Sequence, residues 1–580
     1  MPNCELYPAS EEYADFIVRY ATRNPQTLID MARTECINFI TYNYAVIHAR
    51  LDRLAPMSIS RYSYNAIPKL FGLLDITALE SSGILEAIDH PVLKANGRGV
   101  ILGIIDTGID YTNPLFRKPD GTSRILSLWD QTIPSETPLE PISGFQPFYG
   151  SVYNQEDINL ALQQADPFQT VPSRDTSGHG TFLAGVAAGN QIEQPTAFSG
   201  AAPQADLAIV KLKPAKQYLR DFFLIAPDIP AYQENDIMAA ISFLLGIAAR
   251  YLRPLVILIA LGTSQGSHDG SSPLGFQLQI LRGVNGLSVV TGAGNETGYG
   301  HHYSGRFDGS QSYQEAELRV EPDTSGFCLE FWAAGPELYT IGFVSPSGEA
   351  IGPLPLSVTS DLQIPFRLDN TTITMSYQLF EAGSGNQLVF MRFQNPSQGI
   401  WRIRVYPSSR VSGSFNMWLP INDFLPGDTR FLRPDPDMTI TDPGNVPMIL
   451  TAAAYNHQTG GIYIHSSRGF NAAGQIKPEL AAPGVNVQGP STEQSRASQD
   501  SDSSPAFTRR SGTSVAAALL AGSAADLLTW AIVDKNNEVT SSAAVKSLLI
   551  RGADRKPELQ YPNQQWGYGT LNLFQSFETL

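Results

Sequence analysis

The sequence predicts an α/β fold, a parallel sheet with helices on both faces, joined to a small α+β unit at the N-terminus and interrupted by a β-sandwich. Three observations carry this reading. Short apolar runs at Val100–Ile105, Ala205–Leu212, Leu255–Leu261 and Leu287–Thr291 alternate with helix-like stretches such as Asn235–Tyr251, the texture of parallel strands buried on both faces. Residues 300–440 hold no helical pattern but several short alternating or aromatic runs separated by turn signals, as in a sandwich. The α/β texture then resumes at Met448–Ala454. The boundaries follow: 1–80 for the N-terminal unit, 81–300 and 441–580 for the two parts of the α/β unit, and 301–440 for the insert.

Taken in order, Glu11–Arg23 places Tyr13, Phe16, Ile17 and Tyr20 at helical spacing and predicts a helix. Cys36–Tyr44 and Val46–Leu51 alternate as strands do, and Ile67–Leu74 reads as a last strand entering a linker. The insert's strands are expected at Ala316–Val320, Phe327–Trp332, Tyr339–Phe343, Thr372–Gln378, Gln387–Phe393, Gly399–Val405 and Phe415–Leu419. Ser491–Ser504 is polar and of low complexity, which predicts a mobile surface loop. Ser514–Ile532 is the last strong helix.

Composition narrows the function classes. The formal net charge is −16 and only 16% of residues are charged. An acidic chain lacks the clustered Lys and Arg of a nucleic-acid binder. Cys4, Cys36 and Cys328 are far apart and odd in number, which reads as buried or free thiols and not as a disulfide framework or zinc site. The first residues show no basic region followed by an apolar stretch, so no secretory signal is expected. No run of ~18 apolar residues stands out as a membrane span.

Three Gly-flanked segments carry the chemistry: Gly103–Gly108 with Asp106, Ser177–Thr181 with His179, and Ser511–Ala517 with Ser514. A hydroxyl is a poor nucleophile until a base removes its proton. Ser514 opens an Ala-rich helix, where free N–H groups and the dipole favour a developing oxyanion. His179 has glycines on both sides that leave its ring room. Asp106 ends an apolar strand, at the sheet edge where ligands bind in such folds, and could orient an imidazole; Asp110 is the fallback. A fourth segment, Thr291–Glu296, follows another apolar strand, and its glycines would let the Asn295 amide approach a reacting carbonyl. Taken singly, Ser514 could be an N-cap, His179 a turn residue and Asp106 an Asx-turn residue. Together, and in this order, they point to acyl transfer by a serine nucleophile.

These residues resemble the subtilisin-like serine proteases, or subtilases, whose chain order is acid, base, nucleophile. Asp106-Thr107-Gly108, Gly178-His179-Gly180-Thr181 and Gly512-Thr513-Ser514 match the family's three signatures, and Asn295 its oxyanion asparagine. Gly200–Ala205 and Lys477–Gly484 are supporting matches. The resemblance implies a subtilisin-like sheet and a substrate-pairing strand at Ala260, Leu261 and Gly262, with Gly292, Ala293 and Gly294 also lining the substrate site. Phe182, Val515 and Ala518 depart from the usual His, Met and Pro. The nearest subgroup is the clostridial germination subtilases, the Csp proteases, similar at Gly108–Pro114, at Ser127–Thr132 and in the β-rich insert.

That subgroup implies an N-terminal prodomain that folds its own enzyme, is cut off within residues 70–90 and stays bound non-covalently. It further implies a jelly-roll insert that rigidifies the enzyme. The implied substrate is the precursor of a spore cortex-lytic hydrolase, and the implied location the spore, otherwise the cytoplasm. No cofactor is required; structural calcium is common in the family, but no ligand spacing identifies a site. Glu296, after the oxyanion asparagine, would favour basic or polar side chains in the first pocket. Two alternatives remain at this point. One is a prodomain-locked scaffold acting as a signalling partner with little turnover. The other is carbohydrate binding by residues 300–440, which lack a demanding aromatic cluster.

Overall fold

The computed structural model describes residues 7–20, 36–41, 43–73, 82–90, 93, 95–135, 138–192, 197–309, 311–357, 360–425, 427–492 and 506–580. Its centre is an eight-stranded sheet. The strand order is Leu480–Pro483, Leu450–Tyr455, Leu287–Gly292, Leu255–Ile259, Ile101–Asp106, Asp206–Lys211, Ile125–Asp130 and Ser151–Asn154. All neighbours are parallel except the edge strand Ser151–Asn154. The central strands Ile101–Asp106, Leu255–Ile259 and Leu287–Gly292 are fully buried, which is why they read as continuous apolar runs.

The two faces are covered differently. His179–Ala188 and Thr513–Leu528 lie on one face, and their small residues Ala184, Ala187, Ala517 and Ala521 allow close approach to the sheet. Glu234–Tyr251 and Pro273–Ile280 cover the other. Thr513–Val533 is long and apolar enough to cross a membrane, a property the sequence reading did not pick out, but 89% of its apolar window is buried inside the protein. It is the core helix of the sheet.

The N-terminal unit differs from expectation. Tyr13–Arg19 is a strand, not a helix, and pairs antiparallel with Tyr44–Arg50, which also pairs Ile37–Phe39. Its apolar spacing fits a helix, yet both of its faces find cover. Ile17 packs into the core around the Glu234–Tyr251 helix, and Phe16 stacks on Tyr62 at 4.9 Å. Cys36 is half of a disulfide, which corrects the reading of three unpaired thiols; distance along the chain does not set distance in space. Cys328 is free and buried.

The insert forms two antiparallel sheets. One holds His302–Arg306, Ser414–Trp418, Gly326–Ala333, Gln387–Gln394, Thr371–Gln378 and Leu362–Phe366; the other holds Ala350–Ile351, Leu338–Val344, Gly399–Ser409, Gln314–Val320 and Arg430–Phe431. They share a core that includes Phe331, Tyr339, Phe393, Trp401 and Phe415. A separate apolar cluster joins all three bodies: Tyr64 and Leu70 from the N-terminal unit, Leu219 and Phe223 from the α/β unit, Phe390 and Trp418 from the insert. The expected loop at Ser491–Ser504 falls, from 493 on, outside the described residues.

Candidate active site

Asp106 ends a central strand, so its carboxylate emerges at the sheet's carboxyl edge. Its Oδ1 stands 2.7 Å from His179 Nδ1 and accepts the Thr107 N–H at 2.7 Å. A carboxylate only accepts, so Nδ1 carries the ring proton and Nε2 is left as the basic nitrogen. Both side chains are buried. Asp110 is turned to Thr112, whose N–H and hydroxyl its Oδ1 accepts; Asp106 is the acid on the histidine.

The approach of these two segments depends on glycine. A Cβ on Gly180 would lie 2.2 Å from Gly108 O, so no larger residue fits there. Asp175, which the sequence reading passed over, braces the join. Its Oδ1 accepts from Thr107 Oγ1 and Gly178 N, and its Oδ2 from Thr181 N and Thr181 Oγ1, at 2.7–2.8 Å. An acid held against the N-terminal end of the His179 helix also suits its dipole.

Ser514 sits in the first turn of Thr513–Leu528, fully buried, and its Oγ makes no hydrogen bond among the described residues. The helices bearing His179 and Ser514 pack together. Thr513 fixes the serine turn against the neighbouring strand end. Its Oγ1 accepts from Gly294 N at 3.1 Å, and a Cβ on Gly292 would stand 2.8 Å from that oxygen. Asn295 Oδ1 accepts the Thr513 N–H at 3.1 Å and faces its hydroxyl at 3.3 Å. With Oδ1 so engaged, the Nδ2 donors point away from Thr513, the orientation an oxyanion donor needs.

A groove runs beside these groups. Leu261–Gly262 pairs antiparallel with Leu73 and Gly72, and Tyr232–Gln233 pairs antiparallel with Phe71 and Leu70. The strand Leu70–Leu73 of the N-terminal unit thus lies between two edges of the α/β unit. The Ala260–Gly262 edge was expected; the Tyr232–Gln233 edge was not. Tyr232 stands close to the acids, and burial, followed by the negative charges of Asp106 and Asp175, pushes its phenol well above the usual range. Ala260, Gly292, Ala293 and Gly294 are all buried. Glu296 is committed elsewhere: its carboxylate accepts the Asn422 N–H at 2.9 Å and faces His301 Nδ1 at 3.5 Å. Phe182 is buried, with the Arg510 guanidinium 5.6 Å above its ring, and Val515 and Ala518 are buried in the sheet's core. Among the described residues no group of three or more His, Cys, Asp or Glu is placed to hold a metal ion.

An acid on an imidazole, a serine on the adjoining helix and an amide donor beside it can perform nucleophilic acyl transfer. Comparison with known proteins agrees. The Subtilase family model matches residues 97–318 and 427–569, leaving most of the insert outside. Among solved structures, the CspB protease of Clostridium perfringens is similar at 28% identity and a TM-score of 0.73, over 86% of this chain and 96% of that one. Curated relatives from Arabidopsis thaliana include subtilisin-like protease SBT1.9, 34% identical over 128 residues, and SBT2.2, 30% identical over 131 residues. Each match spans 20% of this chain and only 16% and 15% of the respective plant protein.

Proposed function

The chain belongs to the subtilase family, and on that premise we propose that it is a serine endopeptidase that cuts its own N-terminal unit away as a prodomain and activates a protein substrate by limited proteolysis. The observation that carries this is the Leu70–Leu73 strand, paired antiparallel on both sides in the groove beside Asp106, His179 and Ser514. Strand addition is how a peptide is presented for cleavage.

In this reading Ser514 Oγ attacks the carbonyl carbon while His179 Nε2 takes its proton. Asp106 holds the imidazole and stabilises the imidazolium. The carbonyl oxygen, now negative, is received by Asn295 Nδ2 and the Ser514 N–H. His179 then returns the proton to the leaving amine. Water, deprotonated by the same imidazole, releases the acyl group and restores Ser514.

The first substrate is the chain's own junction within residues 70–90, after the paired strand, with the prodomain held non-covalently afterwards. Similarity to the CspB protease supports a role in spore germination, with a cortex-lytic hydrolase precursor as the substrate, and a jelly-roll insert that braces the enzyme. The prodomain-locked scaffold is not favoured, because all three positions of the acid–base–nucleophile set are kept. A fluorophosphonate probe tests the proposal: Ser514 should be labelled in the purified protein and the label lost in Ser514→Ala. Absence of labelling in processed protein contradicts it.

A further inference from the structure

The strand that fills the groove also delivers a lysine into an acidic pocket. Lys69 immediately precedes Leu70–Leu73 and extends its ladder: Glu234 N–H donates to Lys69 O at 3.0 Å, and Lys69 N–H to Glu234 Oε2 at 3.3 Å. The Lys69 side chain is 2% exposed. Its ammonium stands 3.6 Å from Glu234 Oε2, donates to Tyr64 O at 3.1 Å, and lies 4.4 Å from the centre of the Tyr64 ring.

Two further buried acids face the same place. Glu330, from the insert, accepts from Gly266 N at 3.0 Å and from Trp332 Nε1 at 2.9 Å. Asp442 Oδ2 lies 3.0 Å from where a Cβ on Gly266 would stand, and neither of its oxygens accepts a hydrogen bond among the described residues. Burial pushes both carboxyls up, Asp442 to about 7, and the positive charge of Lys69 offsets part of that rise in each. Lys69 and Tyr64 belong to the N-terminal unit. Glu234 and Asp442 belong to the α/β unit and stay in place when the N-terminal unit gives way to another segment. A buried carboxylate without a counter-charge is costly, so a segment that enters the groove with a cation at this position recovers what Lys69 supplied.

Resting on the endopeptidase reading above, we propose that the groove selects protein segments with a Lys or Arg three residues before the residue that pairs with Gly262, and that Glu234 is the specificity-determining residue. Gly72 is the pairing residue in the chain's own segment, which puts Lys69 at the selected position. The requirement lies outside the four residues paired with the groove edges, so it adds a distant determinant to whatever the first pocket accepts.

Self-cleavage of the full chain gives the readout, followed as the appearance of the fragment cut within 70–90. Lys69→Arg is expected to process at the wild-type rate, and Lys69→Gln and Lys69→Glu roughly tenfold slower or worse. In a Glu234→Gln background, Lys and Gln at position 69 should process within about twofold of each other. Thermal unfolding of each variant reports whether it is folded; should Lys69→Glu not fold, Arg against Gln decides. A Lys69→Arg rate as low as Lys69→Gln, or a Lys/Gln difference undiminished by Glu234→Gln, overturns the proposal. Ser514→Ala separates the two levels: if it still cleaves, the endopeptidase reading has failed and not the pocket.

Discussion

Asp15 and Lys216 form an ion pair at 2.9 Å with both side chains buried, although one belongs to the N-terminal unit and the other to the α/β unit. Gln233 Nε2, one residue along from Tyr232 on the groove edge, also donates to Asp15 at 3.0 Å. Lys216 Nζ reaches back to Tyr13 O at 3.0 Å. The pair therefore ties the first strand of the N-terminal unit to the wall of the groove that unit fills.

Removing one partner of a buried pair strands the other, at a cost of ~3–5 kcal/mol. Lys216→Met and Asp15→Ala are each expected to weaken retention of the N-terminal fragment after processing. Gel filtration of the processed protein checks this: the fragment should coelute in the wild type and separate in either variant.

The same cluster makes docking sensitive to acid. His48 Nδ1 stands 2.7 Å from Asp15 Oδ1, and burial holds its imidazole below the usual histidine range. An exposed histidine takes a proton near pH ~6.5 while the buried one resists, so the docked state loses stability as pH falls below that point. Burial would raise the Asp15 carboxyl, but Lys216 and His48 outweigh it and hold it well below the usual range. Its stabilisation is present above pH ~3.9 and is lost only in stronger acid. Between pH 7 and pH 5 the unfolding midpoint of the N-terminal unit should fall, and fall less in His48→Gln.

Asn295→Ala should lower kcat ~100- to 1000-fold with KM little changed, because the donor acts on the transition state. This magnitude is the one known for the oxyanion asparagine of subtilisin itself. Steady-state kinetics on a peptide substrate measure it; an unchanged kcat would remove Asn295 from the oxyanion site.

Gly180→Ala tests the packing under the histidine. The added methyl meets Gly108 O at 2.2 Å, so the His179 helix must move away from Asp106. A displacement near 1 Å costs roughly 100-fold in rate. Autoprocessing by Gly180→Ala is expected to slow by about that much, and a wild-type rate would show that the contact does not position the base.

The candidate groups were legible because each lies in a short Gly-flanked segment whose residues must approach another backbone. Asp106, His179, Ser514 and Asn295 all fall where those segments meet. What escaped notice was set by contacts between distant parts of the chain. The groove edge Tyr232–Gln233 is two residues long and has no pattern of its own. Asp175 looks like any loop acid until its four donors are seen. Tyr13–Arg19 reads as a helix because Asp15, a charged residue between apolar ones, is buried by a lysine some two hundred positions away. Glu296 sits next to Asn295 in sequence, yet its carboxylate serves Asn422.

The intact masses of purified wild-type and Ser514→Ala proteins bear most directly on the whole account. The wild type should yield two fragments separated by one break within residues 70–90, and Ser514→Ala a single uncut chain of 63.1 kDa. The same fragments from Ser514→Ala, or an uncut wild type, would contradict it.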